Sequence, residues 1–240
     1  METLIRSLVG GLERTQLVTG SAAIGLRQRA GGHEVELSAG ETLEADGVVI
    51  AVPAFAAAEL LAKIDDDLAA AHAEIPYASS AVVTLAFRRE DVEHSLDGYG
   101  YVVPRAEGSD VLACTWTSSK WEGRAPAGRV LVRVYAGRFG GRDVTAESDG
   151  DLVALAREEV RLLGIEANPV LARIHRWPLG MPQYVLGHPE RVERIETALA
   201  GHPGLALAGA AYGGVGIPDC IRSGEEAAQS TARALAPVSG

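Results

Sequence analysis

The sequence has few of the residues that build disulfide frameworks or metal sites. It contains two cysteines, Cys114 and Cys220, no CxxC pair, and no pattern with the spacing of metal ligands. A chain of 240 residues that is 47% hydrophobic can bury a substantial core without such cross-links. We therefore expect reduced thiols, no metal site and a cytoplasmic location.

Positive charge and long apolar runs are also scarce. Against 32 acidic residues stand 22 lysines and arginines, and the formal charge of -10 argues against an electrostatic grip on nucleic acid. The longest apolar run, VVIAVPAFAAAELLA, contains a proline and a glutamate and is shorter than the roughly 20 residues of a membrane-spanning helix. The first residues, METLIRSLVGGLERT, lack the apolar core of a signal peptide. We expect a soluble protein with no nucleic acid partner and no transmembrane segment, whose basic side chains gather only locally.

The common phosphate-binding fingerprints are absent, since neither GxGxxG nor GxxxxGK[ST] occurs. A glycine-rich segment nevertheless lies near the end of the chain, AGAAYGGVGIPDCIRSGEEAA (208–228). Its glycines would let a ligand approach the backbone, and a helix beginning near Pro218 would offer N–H groups to negative charge. The alternative is a tight strand-to-helix turn that binds nothing. Asp219 stands where a dinucleotide fingerprint has its third glycine, and too little chain follows for a βαβ unit.

Both end sections of the chain mix helical and strand periodicity. A capped helix is predicted to begin at Ser148 or Asp149 and to end before Gly164. The other predicted elements of these sections are helices over 2–11 and 54–63 and from Pro189 and Pro218, and strands over 21–27, 33–37, 46–51, 170–177 and 205–208.

The middle section, from Ser79 to Tyr135, has a period of two, which is typical of strands with one buried face. Short connections between these strands favour antiparallel pairing. In the last strand Arg133 lies on the face opposite to three valines, so we expect it to face a cavity. The predicted strands are 81–88, 99–103, 111–117 and 130–135.

Three blocks of the sequence resemble one known family, in the order expected for it. The blocks are GYGYVVPRAEG with ACTWTSSKW, RWPLGMPQYVLGHPERV, and AGAAYGGVGIPDCIRSGEEAA. They are similar to the oxygen-dependent porphyrinogen oxidases, which act on coproporphyrinogen III or protoporphyrinogen IX. These enzymes are FAD flavoproteins related to the monoamine oxidases. Their sequences most resemble the soluble, Gram-positive type of this family.

The resemblance implies an α/β fold. It implies an incomplete FAD-binding domain, Rossmann-like and of the amine-oxidase type, with an inserted β-rich α+β substrate domain. Residues 1–54 and 171–240 would belong to the FAD-binding domain, and residues 55–170 to the substrate domain. In the family a Rossmann segment with GxGxxG precedes everything seen here, and METLIRSLVGGL resembles an internal helix. We therefore expect either a fragment or truncated product, or a missing half supplied elsewhere; a homo-oligomer is a further expectation.

The resemblance also implies roles for individual residues. Val215, Gly216 and Ile217 match a turn along the flavin, and Trp177 a residue beside it. Ala23 stands where the family usually has a valine whose backbone meets the adenine. The redox chemistry would be centred on the flavin, and no catalytic side chain is identified. The implied cofactor-binding set is Ala23, Trp177, Gly214, Val215, Gly216 and Ile217.

A tetrapyrrole with propionate groups needs apolar walls and one or two cationic anchors. The candidate anchors are Lys120, Arg133 and Arg176, and Tyr184 is a candidate contact to the ring system. For each cation the alternative is a solvated charge or a structural ion pair, and for Tyr184 a buried structural role.

The function implied is FAD-dependent oxidation of coproporphyrinogen III or protoporphyrinogen IX to the porphyrin, with O₂ as acceptor, in haem biosynthesis. Two alternatives remain open. One is a non-catalytic remnant that binds a tetrapyrrole or a partner protein. The other is a related flavin enzyme that acts on amines or carotenoids.

Overall fold

The structure is a computed structural model that describes residues 2–236, and these residues form two compact units. The first unit combines residues 2–73, 191–208 and 222–236, and the second combines residues 74–190 and 209–221. The sequence assigned residues 55–73 to the substrate domain and residues 171–190 to the FAD-binding domain. Those functional domain boundaries remain predictions.

The first unit contains two small sheets. β1 (Ala23–Arg29), β2 (Gly32–Leu37) and β3 (Thr42–Ala45) form an antiparallel meander, and β4 (Val48–Ile50) pairs in parallel with β10 (Leu205–Leu207). The helices that lie wholly or mainly in this unit are α1 (Glu2–Gly10), α2 (Ala54–Leu61), α3 (Asp66–Ala73), α6 (His188–Leu199) and α7 (Ile217–Leu235).

Small residues allow the end of α7 to pack closely in this unit. A Cβ atom on Gly47, between β3 and β4, would lie 2.5 Å from Cγ2 of Thr231 and 3.2 Å from Cδ1 of Leu235. Ala206 and Ala227 belong to a small buried cluster beside this contact. A larger side chain at position 47 would therefore push α7 outward.

The second unit is built on one antiparallel sheet of five strands in the order β6-β7-β8-β5-β9. Its helices are α4 (Thr117–Lys120) and α5 (Asp149–Arg161), with 3₁₀ turns at Arg89–Asp91, Arg105–Glu107 and Val144–Ala146. The strands are β5 (Tyr77–Arg88), β6 (Gly100–Val102), β7 (Val111–Trp116), β8 (Arg129–Ala136) and β9 (Leu171–Pro182).

One face of this sheet carries the core of the unit. Val83, Leu85 and Phe87 of β5 are fully buried there together with Leu152 and Val160 of α5. The side chain of Ser148 caps α5 by accepting a hydrogen bond from the N–H of Asp151, which confirms the predicted start of this helix.

The other side of the sheet is called the open face below. In the centre of this face Thr84 of β5 pairs with Arg133 of β8 on one side and with Arg173 of β9 on the other. Because side chains alternate along a strand, the register puts the following residues on this face: Val82, Thr84 and Ala86, then Leu131, Arg133 and Tyr135, then Leu171, Arg173 and His175.

Most predicted elements are present within a few residues of their expected bounds, including all four strands of the middle section. Three elements were not predicted from the sequence: β3, α3 and α4. In α7 the apolar side chains of Ile217, Ile221 and Leu235 are about half exposed. No helix among residues 2–236 is long and apolar enough to cross a membrane.

Candidate functional site

The glycine-rich segment forms a loop between β10 and α7, and we call residues 209–216 the glycine loop. Gly209 and Gly214 have φ angles of 119° and 143°, which residues other than glycine rarely adopt. A Cβ on Gly209 or Gly213 would meet no atom within 4 Å, so the backbone there borders open space. A ligand can therefore approach this backbone directly.

The hydroxyl group of Tyr184 holds the glycine loop at two points. It donates a hydrogen bond to the carbonyl oxygen of Ala210 at 2.7 Å and accepts one from the N–H of Gly214 at 2.8 Å. Its ring stacks on the imidazole of His188, with centroids 3.9 Å apart. Desolvation by partial burial raises the pKa of Tyr184, so the hydroxyl keeps the proton that it donates. Tyr184 is thus engaged by the loop, and its contact with a substrate stays a prediction.

Asp219, in the first turn of α7, lies directly beneath the loop. A Cβ on Gly214 would come within 2.5 Å of Cγ of Asp219, and one on Gly216 within 2.9 Å of its Oδ2. The N–H of Cys220 bonds to the carbonyl of Gly216 at 2.9 Å, which begins the helix. These two glycines are therefore required by the close approach of the helix start.

The same turn offers hydrogen-bond donors to a ligand. Within residues 2–236, the backbone N–H groups of Val215, Gly216 and Ile217 have no acceptor. They lie at the start of α7, a helix of 19 residues whose first residue is Ile217. The side chain of Val215 is 52% exposed. Unpaired N–H groups and an exposed apolar side chain fit the polar edge and the flat ring of a flavin. The residues expected to contact the cofactor here thus suit that role.

Trp177 lies in β9 next to an irregular stretch of the strand. The pairing with β5 shifts between Ala78 and Ser80. Leu179 has a φ angle of 47°, which is unusual for a residue other than glycine. The hydroxyl of Ser79 accepts a hydrogen bond from the N–H of Leu179 at 3.0 Å. This bulge leaves Trp177 57% exposed. A large aromatic surface is therefore available to a ligand.

Ala23 is the first residue of β1 and belongs to the first unit. It pairs with Leu37, and the register shifts between Ala23 and Gly25. Its backbone contact with an adenine stays a prediction.

Two of the predicted cationic anchors already have partners in the second unit. Arg176 forms an ion pair with Oδ1 of Asp149 at 2.6 Å and donates to the carbonyl of Glu147, on the face of the sheet that carries α5. Lys120, at the end of α4, places its Nζ over the ring of Trp121 at 4.6 Å. Both side chains thus have structural contacts, and their binding of a substrate remains a prediction.

Arg133 is the predicted anchor that faces outward from the open face, where it is half-buried. Arg173, which was not predicted from the sequence, shares this face. The signal was present: Ile174 is apolar and alternates with its neighbours, so Arg173 and His175 must face one way and Arg176 the other. The strand period alone therefore separates the three basic residues.

Comparison with known proteins shows which family the chain resembles. The family model for flavin containing amine oxidoreductase matches residues 1–231. Coproporphyrinogen III oxidase of Bacillus subtilis (strain 168) is 34% identical over 230 residues, which cover 95% of this chain and 48% of that protein. The chloroplastic protoporphyrinogen oxidase of Oryza sativa subsp. japonica is 29% identical over 198 residues, covering 78% of this chain and 37% of that protein.

Among solved structures, the crystal structure of "Putative protoporphyrinogen oxidase" from Exiguobacterium sp. 255-15 superposes with a TM-score of 0.84 at 31% identity. It covers 98% of this chain and 51% of that one. The chain thus spans about half the length of the relatives that it matches. The α/β fold class is confirmed, and the chain belongs to the family of flavin-containing amine oxidoreductases, with the porphyrinogen oxidases among its relatives.

Proposed function

We propose that this chain supplies the flavin-facing loop and the substrate-binding sheet of an FAD-dependent oxidase that converts coproporphyrinogen III, or protoporphyrinogen IX, to the porphyrin. The electron acceptor would be O₂ and the pathway haem biosynthesis. A cytoplasmic location is part of the same proposal. FAD would supply the redox chemistry by accepting hydride equivalents.

The glycine loop is the observation that carries the proposal. Its backbone borders open space at Gly209 and Gly213, and Tyr184 fixes its shape through Ala210 and Gly214. The N–H groups of Val215, Gly216 and the adjoining Ile217 have no acceptor among residues 2–236. Such a loop lies within the 230 residues that align with a coproporphyrinogen III oxidase. The packing of the helix start against Asp219 explains Gly214 and Gly216, but it does not require the open backbone at Gly209 and Gly213.

Each residue of the site has a limited task in this proposal. The backbone of Val215, Gly216 and Ile217 contacts the flavin ring, Trp177 lies beside it, and Ala23 meets the adenine. No side chain is assigned a proton transfer. The proposed contacts of the substrate are with Lys120, Arg133, Arg176 and Tyr184.

A spectrum of the purified 240-residue chain tests the cofactor. We expect flavin absorption bands that persist through desalting, or that appear on titration with FAD. A colourless protein with no FAD affinity would rule out flavin binding by this polypeptide.

A peroxide assay then tests the substrate. The FAD-loaded chain is supplied with coproporphyrinogen III, protoporphyrinogen IX or a primary amine in air-saturated buffer. We expect peroxide and porphyrin from a porphyrinogen and none from the amine. Peroxide from the amine alone would identify a different flavin oxidase.

A non-catalytic tetrapyrrole-binding protein is the second candidate. Its binding would not require GxGxxG, the motif that holds the pyrophosphate of FAD in dinucleotide-binding folds and that does not occur in this sequence. Binding of a porphyrin without retention of FAD would support this candidate over the oxidase.

A further inference from the structure

Two arginines flank one threonine in the centre of the open face. Arg133 and Arg173 lie on the strands on either side of β5, and both pair with Thr84. Neighbouring strands are about 4.8 Å apart, so the two Cα atoms are separated by roughly 10 Å. Thr84 is buried between them, and Arg173 is exposed. Two guanidinium groups are thus carried by the same patch of sheet.

Neither arginine is neutralised by a residue that the structure describes. Among the residues that the structure describes, Arg133 and Arg173 form no ion pair and no side-chain hydrogen bond, and Nε of Arg133 is buried without an acceptor. Other arginines of the same unit are paired, such as Arg142 with Asp110 and Glu147. A buried guanidinium nitrogen without an acceptor destabilises the folded protein. A hydrogen bond to an anionic ligand would offset that penalty. The chain carries a net charge of -10, so this basic patch is a local exception.

We propose that Arg133 and Arg173, with Thr84 between them, form a subsite for two carboxylate groups of a tetrapyrrole substrate. This inference rests on the proposed function. It identifies the part of the sheet that binds the propionate groups of the substrate. Guanidinium groups match carboxylates in a bidentate geometry, and the Thr84 hydroxyl adds a donor between them. Apolar neighbours on the same face, Leu131 and Tyr135, offer a surface for the ring system.

The subsite also bears on the choice between the two substrates. Coproporphyrinogen III carries more propionate groups than protoporphyrinogen IX, so more of its binding orientations place two carboxylates on the arginine pair. We expect tighter binding of the ligand with more carboxylates, and a decline of that affinity with rising salt concentration.

Coproporphyrin III is a suitable probe, because it is the stable oxidised form and its own fluorescence reports binding. The full 240-residue chain is titrated with coproporphyrin III and with its tetramethyl ester, which keeps the ring and lacks the charges. The variants are Arg133→Gln, Arg173→Gln and the double variant. Arg157→Gln is the matched control, since Arg157 lies on α5 and bonds to Asn168. Circular dichroism verifies the fold of each variant.

We expect each single substitution to weaken the binding of coproporphyrin III about tenfold, as the loss of one charged hydrogen-bonded pair does. The double variant should lose both contributions, and the ester should bind all variants alike. Equal affinity of the wild type and Arg173→Gln for coproporphyrin III would overturn the subsite. So would an equal loss for the ester, or no binding to the wild-type chain.

These outcomes are separate from those of the proposed function. The proposed subsite consists only of residues of this sheet, so a chain that fails to retain flavin still tests the arginine pair. Conversely, a chain that retains flavin and oxidises porphyrinogen while both variants bind normally would refute the subsite and leave the oxidase intact.

Discussion

At the scale of single residues, the hydroxyl of Tyr184 controls the backbone of the glycine loop. Tyr184→Phe keeps the ring on His188 and removes the bonds to Ala210 and Gly214. We expect hydrogen exchange of the Gly214 amide, measured by NMR, to become about three- to tenfold faster, as the loss of one hydrogen bond predicts. Tyr99→Phe is the control, because that side chain is largely exposed. An unchanged Gly214 amide would show that the hydroxyl does not hold the loop.

Gly214 and Gly213 are adjacent but differ in what a side chain would meet. Gly214→Ala puts a Cβ 2.5 Å from Asp219 at a φ of 143°, whereas Gly213→Ala meets nothing within 4 Å. We expect the first substitution to lower the free energy of unfolding by about 1–3 kcal/mol and the second to have little effect. Urea denaturation of both variants measures the difference. Equal stabilities would mean that the loop relaxes without cost.

The individual residues also show what the sequence could and could not predict. The alternation along β9 was sufficient to separate Arg173 and His175 from Arg176, yet Arg176 and not Arg173 was predicted as an anchor. The role of Tyr184 depends on a contact across 30 positions, between Tyr184 and Gly214, which no local pattern encodes. Local periodicity therefore predicts faces, whereas specific contacts require the fold.

At the scale of elements, one hydrogen bond connects β6 to α5. The hydroxyl of Tyr101 donates to Oε1 of Glu159 at 2.8 Å, and Glu159 is buried. Burial raises the pKa of Tyr101, so the bond persists at neutral pH. Tyr101→Phe would leave the carboxylate with one fewer donor.

We expect Tyr101→Phe to lower the free energy of unfolding by about 1–3 kcal/mol. Thermal or urea denaturation gives the value, and Tyr99→Phe again serves as the control because it removes an exposed hydroxyl from the same stretch. A loss below about 0.5 kcal/mol would show that this hydrogen bond contributes little to stability.

Element prediction succeeded where a strand period or a helix cap was clear, and it missed β3, α3 and α4. The period of two predicted β5–β8, and the cap at Ser148 predicted α5. The four residues of α4 and the four of β3 are too few to show a period. The bulge in β9 depends on the hydroxyl of Ser79, which pairs with Leu179 at a distance of 100 positions.

At the scale of the whole molecule, apolar surface remains uncovered. No residue of α1 is buried, although Leu4, Ile5, Leu8 and Val9 lie on one side of it. A sequence pattern predicts which face of a helix is apolar, but it does not show what covers that face. The family was predicted from three blocks of sequence, and comparison over residues 1–231 confirms it.

The pH dependence of the free energy of unfolding is also a property of the whole chain. His33 and His72 are buried, and desolvation lowers the pKa of each below its ordinary value of about 6.5. Below that value the unfolded chain binds protons that the folded chain does not, so stability falls as pH falls. The pH range in which stability falls therefore extends downward from the pKa of histidine in the unfolded chain.

We expect the free energy of unfolding to decrease as the pH falls from about 7.5 to about 5.5. The limiting slope is about 1.4 kcal/mol per pH unit for each histidine. Urea denaturation at a series of pH values measures the slope. His72→Gln should reduce the slope, because it removes one of the two buried imidazoles. Carboxylates with lowered pKa values, such as Asp143, lose their contribution at more acidic pH and lie outside this window. A flat profile for the wild type would show that both buried imidazoles gain protons without opening the fold.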